Sequence, residues 1–315
     1  MDTKTVVSFG EILWDMLPDR TILGGAPFNF AYRITSLGDR GIIMSRLGRD
    51  DRGVRAHETV RLLGLETAAI QWDDSFPTGT VRVSFDDNGN PDFVITPRVA
   101  YDYIELTDQY LDCAAAADCI CFGTLIQRND QSRATLAALL ERFSEPLRFL
   151  DINLRKDCYT KGTITFSLEQ ADMLKLNEDE TYRLADILGT PHAGIPGFCS
   201  TMIQTWDLRY CVVTLGERGA YAQADSGARV YVPGYRIDCA DSVGSGDAFS
   251  SGFVHEILHG SGLQDACERG NILGALVATK PGATCSVTGE ELAAFSSRDV
   301  PRNVHPDLAG LLEEL

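Results

Sequence analysis

The nine cysteines of this 315-residue chain stand at 113, 119, 121, 158, 199, 211, 239, 267 and 285 and never form a C-x-x-C pair. An odd number at irregular spacing excludes a disulfide framework and a cysteine-based zinc site. No apolar run is long enough to cross a bilayer, and Met1-Asp2-Thr3-Lys4 leads straight into Val6-Val7 with no signal-type apolar region. The expectation is a reduced, cytoplasmic protein. Basic side chains are scarce, 28 Lys and Arg against 45 Asp and Glu, for a net charge of −17. That balance argues against nucleic acid or an anionic membrane as the main partner, and an anionic ligand must be drawn in by a local positive site. Internal repeats, low-complexity linkers and the phosphate loop G-x-x-x-x-G-K-[ST] are also missing.

What is present is a chain with 44% hydrophobic residues, enough to bury a large core. Strand-like runs alternate with amphipathic patterns: Val6–Phe9, a helix over Pro27–Leu37, Gly41–Leu47, a helix over Asp51–Leu63, then strands about Ile120, Phe149, Leu174 and Val212. This alternation predicts an α/β fold with a mostly parallel sheet covered by helices on both faces. Pro27 suits a first helical turn, and Gly38 and Gly64 follow the last apolar residue of their helices. The stretch Thr78–Phe85 breaks the pattern by alternating with period two, Asn88-Gly89 is a hairpin signal, and Asp92–Thr96 returns. The expected organisation is one domain over 1–315 with a small β lid formed by about 11–24 and 72–103. Its apolar face would suit a homodimer, or serve only as a satellite hairpin.

The most informative stretch is Asp241-Ser242-Val243-Gly244-Ser245-Gly246-Asp247-Ala248-Phe249. Gly244 and Gly246 let the backbone turn with its N–H groups converging where an apolar helix begins, which is an anion site. Asp247 is either the base attached to that site or a first-turn carboxylate favoured by the helix dipole.

Beside it stand Gly24-Gly25-Ala26-Pro27-Phe28-Asn29, Leu47-Gly48-Arg49-Asp50-Asp51-Arg52-Gly53, Phe9-Gly10-Glu11-Ile12-Leu13-Trp14-Asp15, Asp151-Ile152-Asn153-Leu154-Arg155 and Lys175-Leu176-Asn177-Glu178-Asp179-Glu180. Taken together and in this order, from about residue 6 to about residue 290, they resemble the ribokinase-like (PfkB) carbohydrate kinases, and the fructokinase branch in particular. The resemblance implies a ribokinase-like three-layer α/β/α fold with a small β-sheet lid, and transfer of the γ-phosphoryl group of ATP to a sugar hydroxyl with Mg²⁺. It implies Asp247 as base, with the N–H groups of Gly244, Ser245, Gly246 and Asp247 as the anion hole. Arg155 would serve catalysis, and Asp15, Gly25, Asn29 and Tyr101 would bind the sugar. Asn177, Thr214, Gly216, Gly219, Gly246, Asn271 and Ala275 would meet the nucleotide, and Glu180 would place Mg²⁺ through water. A K⁺ site would be built from Asp241, Val243, Val277, Lys280, Gly282 and Ser286. Fructose is the expected substrate, with ribose, 2-keto-3-deoxygluconate, tagatose or a nucleoside as alternatives. Most of these residues also have an ordinary reading as a cap, a turn or a packed side chain.

A rival pattern is His255-Glu256-Ile257-Leu258-His259, which satisfies H-E-x-x-H of zinc peptidases. Phe249, Phe253 and Ile257 repeat every four residues as the buried stripe, and the histidines lie roughly 200° away at ~100° per residue, so they are expected to face solvent. A further alternative is a sugar sensor without catalysis, which the retained Asp247 argues against.

Overall fold

The computed structural model describes residues 2–18, 20–85 and 91–312. The hairpin signal at Asn88-Gly89 lies outside the described residues.

The chain opens with β1 (Thr5–Phe9), β2 (Leu13–Met16), β3 (Thr21–Gly24), α1 (Ala26–Ser36), β4 (Arg40–Gly48), α2 (Asp51–Leu62) and β5 (Ile70–Asp73). It continues through β6 (Gly79–Phe85), β7 (Pro91–Ile95), α3 (Asp108–Ala115), β8 (Cys119–Phe122), α4 (Asp130–Arg142), β9 (Leu147–Asp151), α5 (Lys161–Gln170) and β10 (Met173–Asn177). Then follow α6 (Glu178–Leu188), α7 (Gly194–Trp206), β11 (Tyr210–Thr214), β12 (Ala220–Ala224), β13 (Arg229–Val232) and the short β14 (Gly234–Tyr235). The last elements are α8 (Ser245–Leu258), α9 (Leu263–Ala278), α10 (Gly289–Ser296) and β15 (Arg302–Asn303).

Nine strands form the main sheet in the order β13-β12-β11-β10-β9-β8-β1-β4-β5. All neighbours pair in parallel from β11 to β5, and β12 and β13 add an antiparallel edge. The parallel strands are apolar because both faces are covered. In β8, Ile120 and Phe122 join the core with residues of α4, α5 and α7, whereas Cys119 and Cys121 join the core with Phe30 of α1 and Phe249 and Phe253 of α8. Burying a side chain such as Phe253 stabilises by ~1.5–3 kcal/mol, and dozens of such residues set the two layers. The fold is therefore α/β with helices on both sides of a mostly parallel sheet, as the alternation predicts.

A second sheet of four strands runs β3-β2-β6-β7. β6 and β7 form the antiparallel ribbon expected from the period-two stretch, and β2 meets β6 in parallel register, Leu13 opposite Gly79. Gly79 has a physical reason here: a Cβ would come within 2.4 Å of the Tyr101 ring. The stretch 47–53 ties this sheet to the main body. Asp50 caps α2 by accepting from the Gly53 N–H at 2.7 Å, and its other oxygen accepts from the Thr78 N–H at 2.9 Å, at the start of β6. No helix among the described residues is long and apolar enough to cross a membrane, and all nine cysteines are unpaired.

Candidate active site

The main strands end on one edge, and the chain leaves each of them carrying polar side chains: Glu11 after β1, Asp151 and Asn153 at β9, Asn177 at β10, Thr214 at β11. Open α/β sheets bind ligands at this edge. Here it forms the floor of a cleft of about 550 Å³ whose opposite wall is the small sheet, with Leu13, Asp15, Ile22, Val81 and Ile95.

Two helices aim their N-termini into the cleft. α8 begins after Gly244, whose φ of 78° is left-handed and whose missing Cβ would stand 2.3 Å from the Ala283 Cβ, so glycine is required twice over. Among the described residues, Gly246 and Asp247 spend their N–H groups on no protein acceptor, as befits the first turn of a helix, while the Ser245 N–H reaches the Ser242 carbonyl at 3.2 Å. α1 begins after Gly25, at φ 115°, where a Cβ would meet the Glu11 carbonyl at 2.4 Å. One turn on, the Asn29 side-chain amide donates to Asp247 Oδ2 at 2.8 Å. The carboxylate of Asp247 thus faces the cleft with its orientation fixed from the other helix.

Its electrostatic setting favours a carboxyl that holds its proton more tightly than usual. Burial against protein, softened by the Asn29 hydrogen bond and worsened by the nearby Asp151, pushes Asp247 up to about 6. Burial likewise raises Asp15 to about 6 and Glu11 to about 7, with Arg155 opposing both shifts. Perturbed carboxyls gathered in one cleft are a mark of a working site.

Several site residues did not stand out in the sequence. Lys175, 8% exposed, lies beside Gly246 at the start of α8 and bonds both oxygens of Asp151 at 3.1 Å, while Ser250 of α8 donates to the same carboxylate at 2.9 Å. This triangle ties β9 and β10 to the first turns of α8. Burial works against the Lys175 charge, but Asp151, Glu180 and Asp247 together hold its proton on more firmly than usual. Glu11, 5% exposed, lines the same cleft. The signal available was the motifs themselves: Asp151 heads D-x-N-x-R, and Lys175 stands two residues before Asn177.

The structure brings Asp15, Gly25, Asn29, Arg155, Asn177, Thr214, Asp241, Val243, Gly244, Gly246 and Asp247 to this cleft. Others lie elsewhere. Tyr101 is fully buried under β6, its ring stacked beneath the Arg128 guanidinium and its hydroxyl accepting from Arg128 at 3.0 Å, so it forms no wall over the cleft. Glu180 is buried in a capping box, with one oxygen on the Asn177 N–H at 2.8 Å and the other on the Leu154 N–H at 2.7 Å. At 6% exposure it stands behind the cleft lining and not in it. Asn271 donates to the Val232 carbonyl at 3.1 Å and so fastens α9 to β13, with Ala275 one turn further along that helix. Gly216 and Gly219 shape the turn after β11, and a Cβ on Gly219 would lie 2.0 Å from the Val232 carbonyl.

Several of the residues expected around K⁺ are already engaged within the protein. Asp241 accepts from the Val243 N–H at 3.0 Å and the Gly282 N–H at 3.1 Å, bridging two loops. The Val277 carbonyl takes the Lys280 N–H at 3.0 Å, and the Lys280 ammonium sits on the Ser286 carbonyl at 2.7 Å. A positive charge of the protein's own already occupies that carbonyl.

The H-E-x-x-H residues depart from expectation. His255 and His259 are largely shielded from water: both rings turn to Asp39, in the turn between α1 and β4, because α1 and that turn lie against this side of α8. Glu256 points away to Arg269 at 2.9 Å and Ser261 at 2.6 Å, so no base is presented beside the histidines.

Known proteins share this architecture. The chain is 28% identical over 305 residues to a sugar kinase of Pyrococcus horikoshii, covering 92% of this chain and 95% of that one. The crystal structure of that kinase superposes with a TM-score of 0.80 over 92% of this chain and 96% of the other at 26% identity, and it has also been solved with ATP, at a TM-score of 0.78. The fructokinase of Escherichia coli is 28% identical over 294 residues, 87% of this chain and 93% of that one. The 2-dehydro-3-deoxygluconokinase of Thermotoga maritima shares the fold with a TM-score of 0.80 over 94% of this chain and all of that one at 19% identity. Residues 19–288 match the pfkB family of carbohydrate kinases, and with most of the chain inside that match the protein belongs to this family and is a phosphotransferase acting on a sugar hydroxyl.

Proposed function

We propose that this protein transfers the γ-phosphoryl group of ATP to a primary hydroxyl of a ketohexose, converting fructose to fructose 6-phosphate. The observation that carries the reading is the Asp247 carboxylate, held at 2.8 Å by Asn29 on the cleft floor beside the unspent N–H groups of Gly246 and Asp247. Asp15, Gly25 and Asn29 would hold the sugar so that one hydroxyl meets Asp247. Asp247 takes the hydroxyl proton as the new O–P bond forms, and the electron pair of the broken bond leaves with ADP. The two amides and Arg155 face the charge that develops on the phosphoryl oxygens. Lys175, through Asp151 and Ser250, keeps the helix start in place and adds positive charge beneath it.

Magnesium would arrive on the nucleotide phosphates and supply charge neutralisation there, and the placement of Glu180 restricts it to an indirect part. The small sheet of β2, β3, β6 and β7 would act as the lid of a single domain, shedding water when the sugar is bound. Nine unpaired cysteines suit a cytoplasmic setting. Homodimerisation through the outer face of the lid is part of the same reading, and sedimentation of the purified protein tests it.

A second reading has a specific observation in its favour. Two guanidinium groups, Arg20 and Arg155, line the cleft and would suit the carboxylate of a sugar acid such as 2-keto-3-deoxygluconate. A coupled ADP-release screen over fructose, tagatose, ribose, a nucleoside and 2-keto-3-deoxygluconate decides between them. Fructose should give the highest kcat/KM, and a tenfold preference for any other sugar overturns the assignment.

A further inference from the structure

The far end of α8 carries a cluster that phosphoryl transfer does not use. His255 and His259 stand one turn apart with ring centroids 4.5 Å from each other. His255 Nδ1 lies 2.6 Å from Asp39 Oδ2, and His259 Nε2 lies 3.1 Å from Asp39 Oδ1. All three ligand atoms fall within 4.8 Å of one another. Twelve residues of helix separate His259 from Asp247, roughly 18 Å at ~1.5 Å per residue.

The surroundings suit a cation. Asp39 is 2% exposed and oriented by the Lys4 N–H at 3.0 Å, the outer-shell support that metal-binding carboxylates need. The Lys4 ammonium turns away to Asp118 at 3.3 Å. The side chains of His255 and His259 are 17% and 9% exposed, so the cluster is shielded yet open on the His255 side for a water ligand. It sits at the C-terminal end of α8, where the helix dipole favours positive charge. Two imidazole nitrogens and one carboxylate oxygen form a donor set for zinc, whose ligand distances of ~2.0–2.2 Å place neighbouring ligands roughly 3.3 Å apart in a tetrahedron. The two histidine–Asp39 separations, 2.6 and 3.1 Å, need to open by less than about 1 Å to reach that figure.

We propose that Asp39, His255 and His259 form a site for one divalent transition ion, with zinc preferred and water as fourth ligand, which clamps the end of α8 to the turn between α1 and β4. The site is structural. Glu256, the general base of the peptidase pattern, is engaged by Arg269 and Ser261 on another side of the helix.

The test uses the full-length protein, stripped with a chelator and titrated with Zn²⁺ against a chromophoric competitor, then with Co²⁺ followed in the visible spectrum. One equivalent of zinc per chain is expected. Co²⁺ should give the intense bands of a tetrahedral nitrogen and oxygen site without the thiolate charge-transfer band that a cysteine site would produce. His255→Gln and His259→Gln should each weaken zinc binding at least tenfold, and Glu256→Gln should bind as the wild type does. Uptake below half an equivalent, thiolate bands, or undiminished affinity in the histidine variants overturns the proposal. Should a histidine variant fail to fold, the cobalt spectrum of the wild type decides alone, because weak octahedral bands would likewise refute the site.

Discussion

Replacing Asp247 with Asn should make the protein more stable while disabling it. Asparagine is the uncharged isostere of a protonated aspartic acid, so the substitution removes the cost of holding a charge where burial and Asp151 oppose it. That cost is legible in the shift of Asp247 from an ordinary 3.8 up to about 6. About two pKa units at 1.36 kcal/mol each give roughly 3 kcal/mol as a ceiling. The side chain is only half-buried and opens on a wet cleft, which screens part of the cost, so we expect a gain of about 1–3 kcal/mol at pH 7.5. The sign follows from linkage. A carboxyl whose folded pKa is raised lends its full stability below the unfolded value and loses it as pH climbs through the folded value. The wild type therefore falls behind the variant between about pH 4 and pH 6, and the two converge below pH 4. The Asn29 amide can still donate to the carbonyl oxygen of the new side chain, so the helix contact survives. Urea unfolding at pH 7.5 and pH 4, together with ADP release, supplies the measurement, and kcat should drop by ~10²–10⁴ with the base gone. A variant equally or less stable at pH 7.5, or one with near-normal kcat, refutes the argument from burial or from base catalysis respectively.

Four further outcomes follow from the same geometry. The kcat/KM profile of the wild type should fall on the acid side near pH 6, where Asp247 takes up its proton, rather than near pH 4, where an ordinary aspartate would; a profile flat to pH 4.5 contradicts the raised base. Arg155→Ala should change stability by less than about 0.5 kcal/mol, because the side chain is exposed. It should nonetheless lower kcat by ~10²–10³ and move the acid limb to higher pH, since Arg155 holds the Asp247 pKa down. Lys175→Met leaves the Asp151 carboxylate without its ammonium partner and should cost ~3–5 kcal/mol in urea unfolding, and a loss below about 1 kcal/mol would show the pair to be screened by cleft water. Turnover should be equal within twofold in K⁺ and Na⁺ buffers, because the Lys280 ammonium already covers the Ser286 carbonyl, and a tenfold activation by K⁺ would show that this lysine moves aside.

The layers of the fold were readable because each rests on a local rule. Pro27 near its start and Gly38 past its end mark a helix, and an apolar run such as Cys119–Phe122 marks a buried parallel strand. The turn before α8 was readable for the same reason, since Gly244 at φ 78° is a backbone requirement that sequence records directly. Contacts across long separations were not. Nothing near Tyr101 announces that Arg128 will cover it, and nothing near His255 announces Asp39, 216 residues away. The helical phase of α8 did place the histidines off the sheet-facing stripe, but a face turned from one core is open to water only if no second element covers it. Likewise Glu180 closes a capping box with Asn177 and Glu178 pairs with Arg218, contacts that the acidic run 178–180 does not announce, while Lys175 just upstream carries the charge that meets Asp151.

Net charge and site charge have to be reconciled for an enzyme of −17 whose proposed reaction requires a nucleotide. Five carboxyl groups, Glu11, Asp15, Asp151, Asp241 and Asp247, line the cleft against three cations, Arg20, Arg155 and Lys175. Fully ionised, that set would repel phosphate. The fold lessens the repulsion in two ways. Asp151 is neutralised by Lys175 at 3.1 Å, and Asp241 is spent on the amides of Val243 and Gly282. The remaining three are the groups whose pKa burial has raised, and Glu11, lifted to about 7, is only part-charged at neutral pH. The negative potential is therefore weakest where Gly246 and Asp247 offer their free N–H groups. In the proposed reaction a phosphate approaching the cleft would meet helix dipoles and guanidinium groups, while Asp247 would keep enough basicity to take a proton from a neutral sugar hydroxyl.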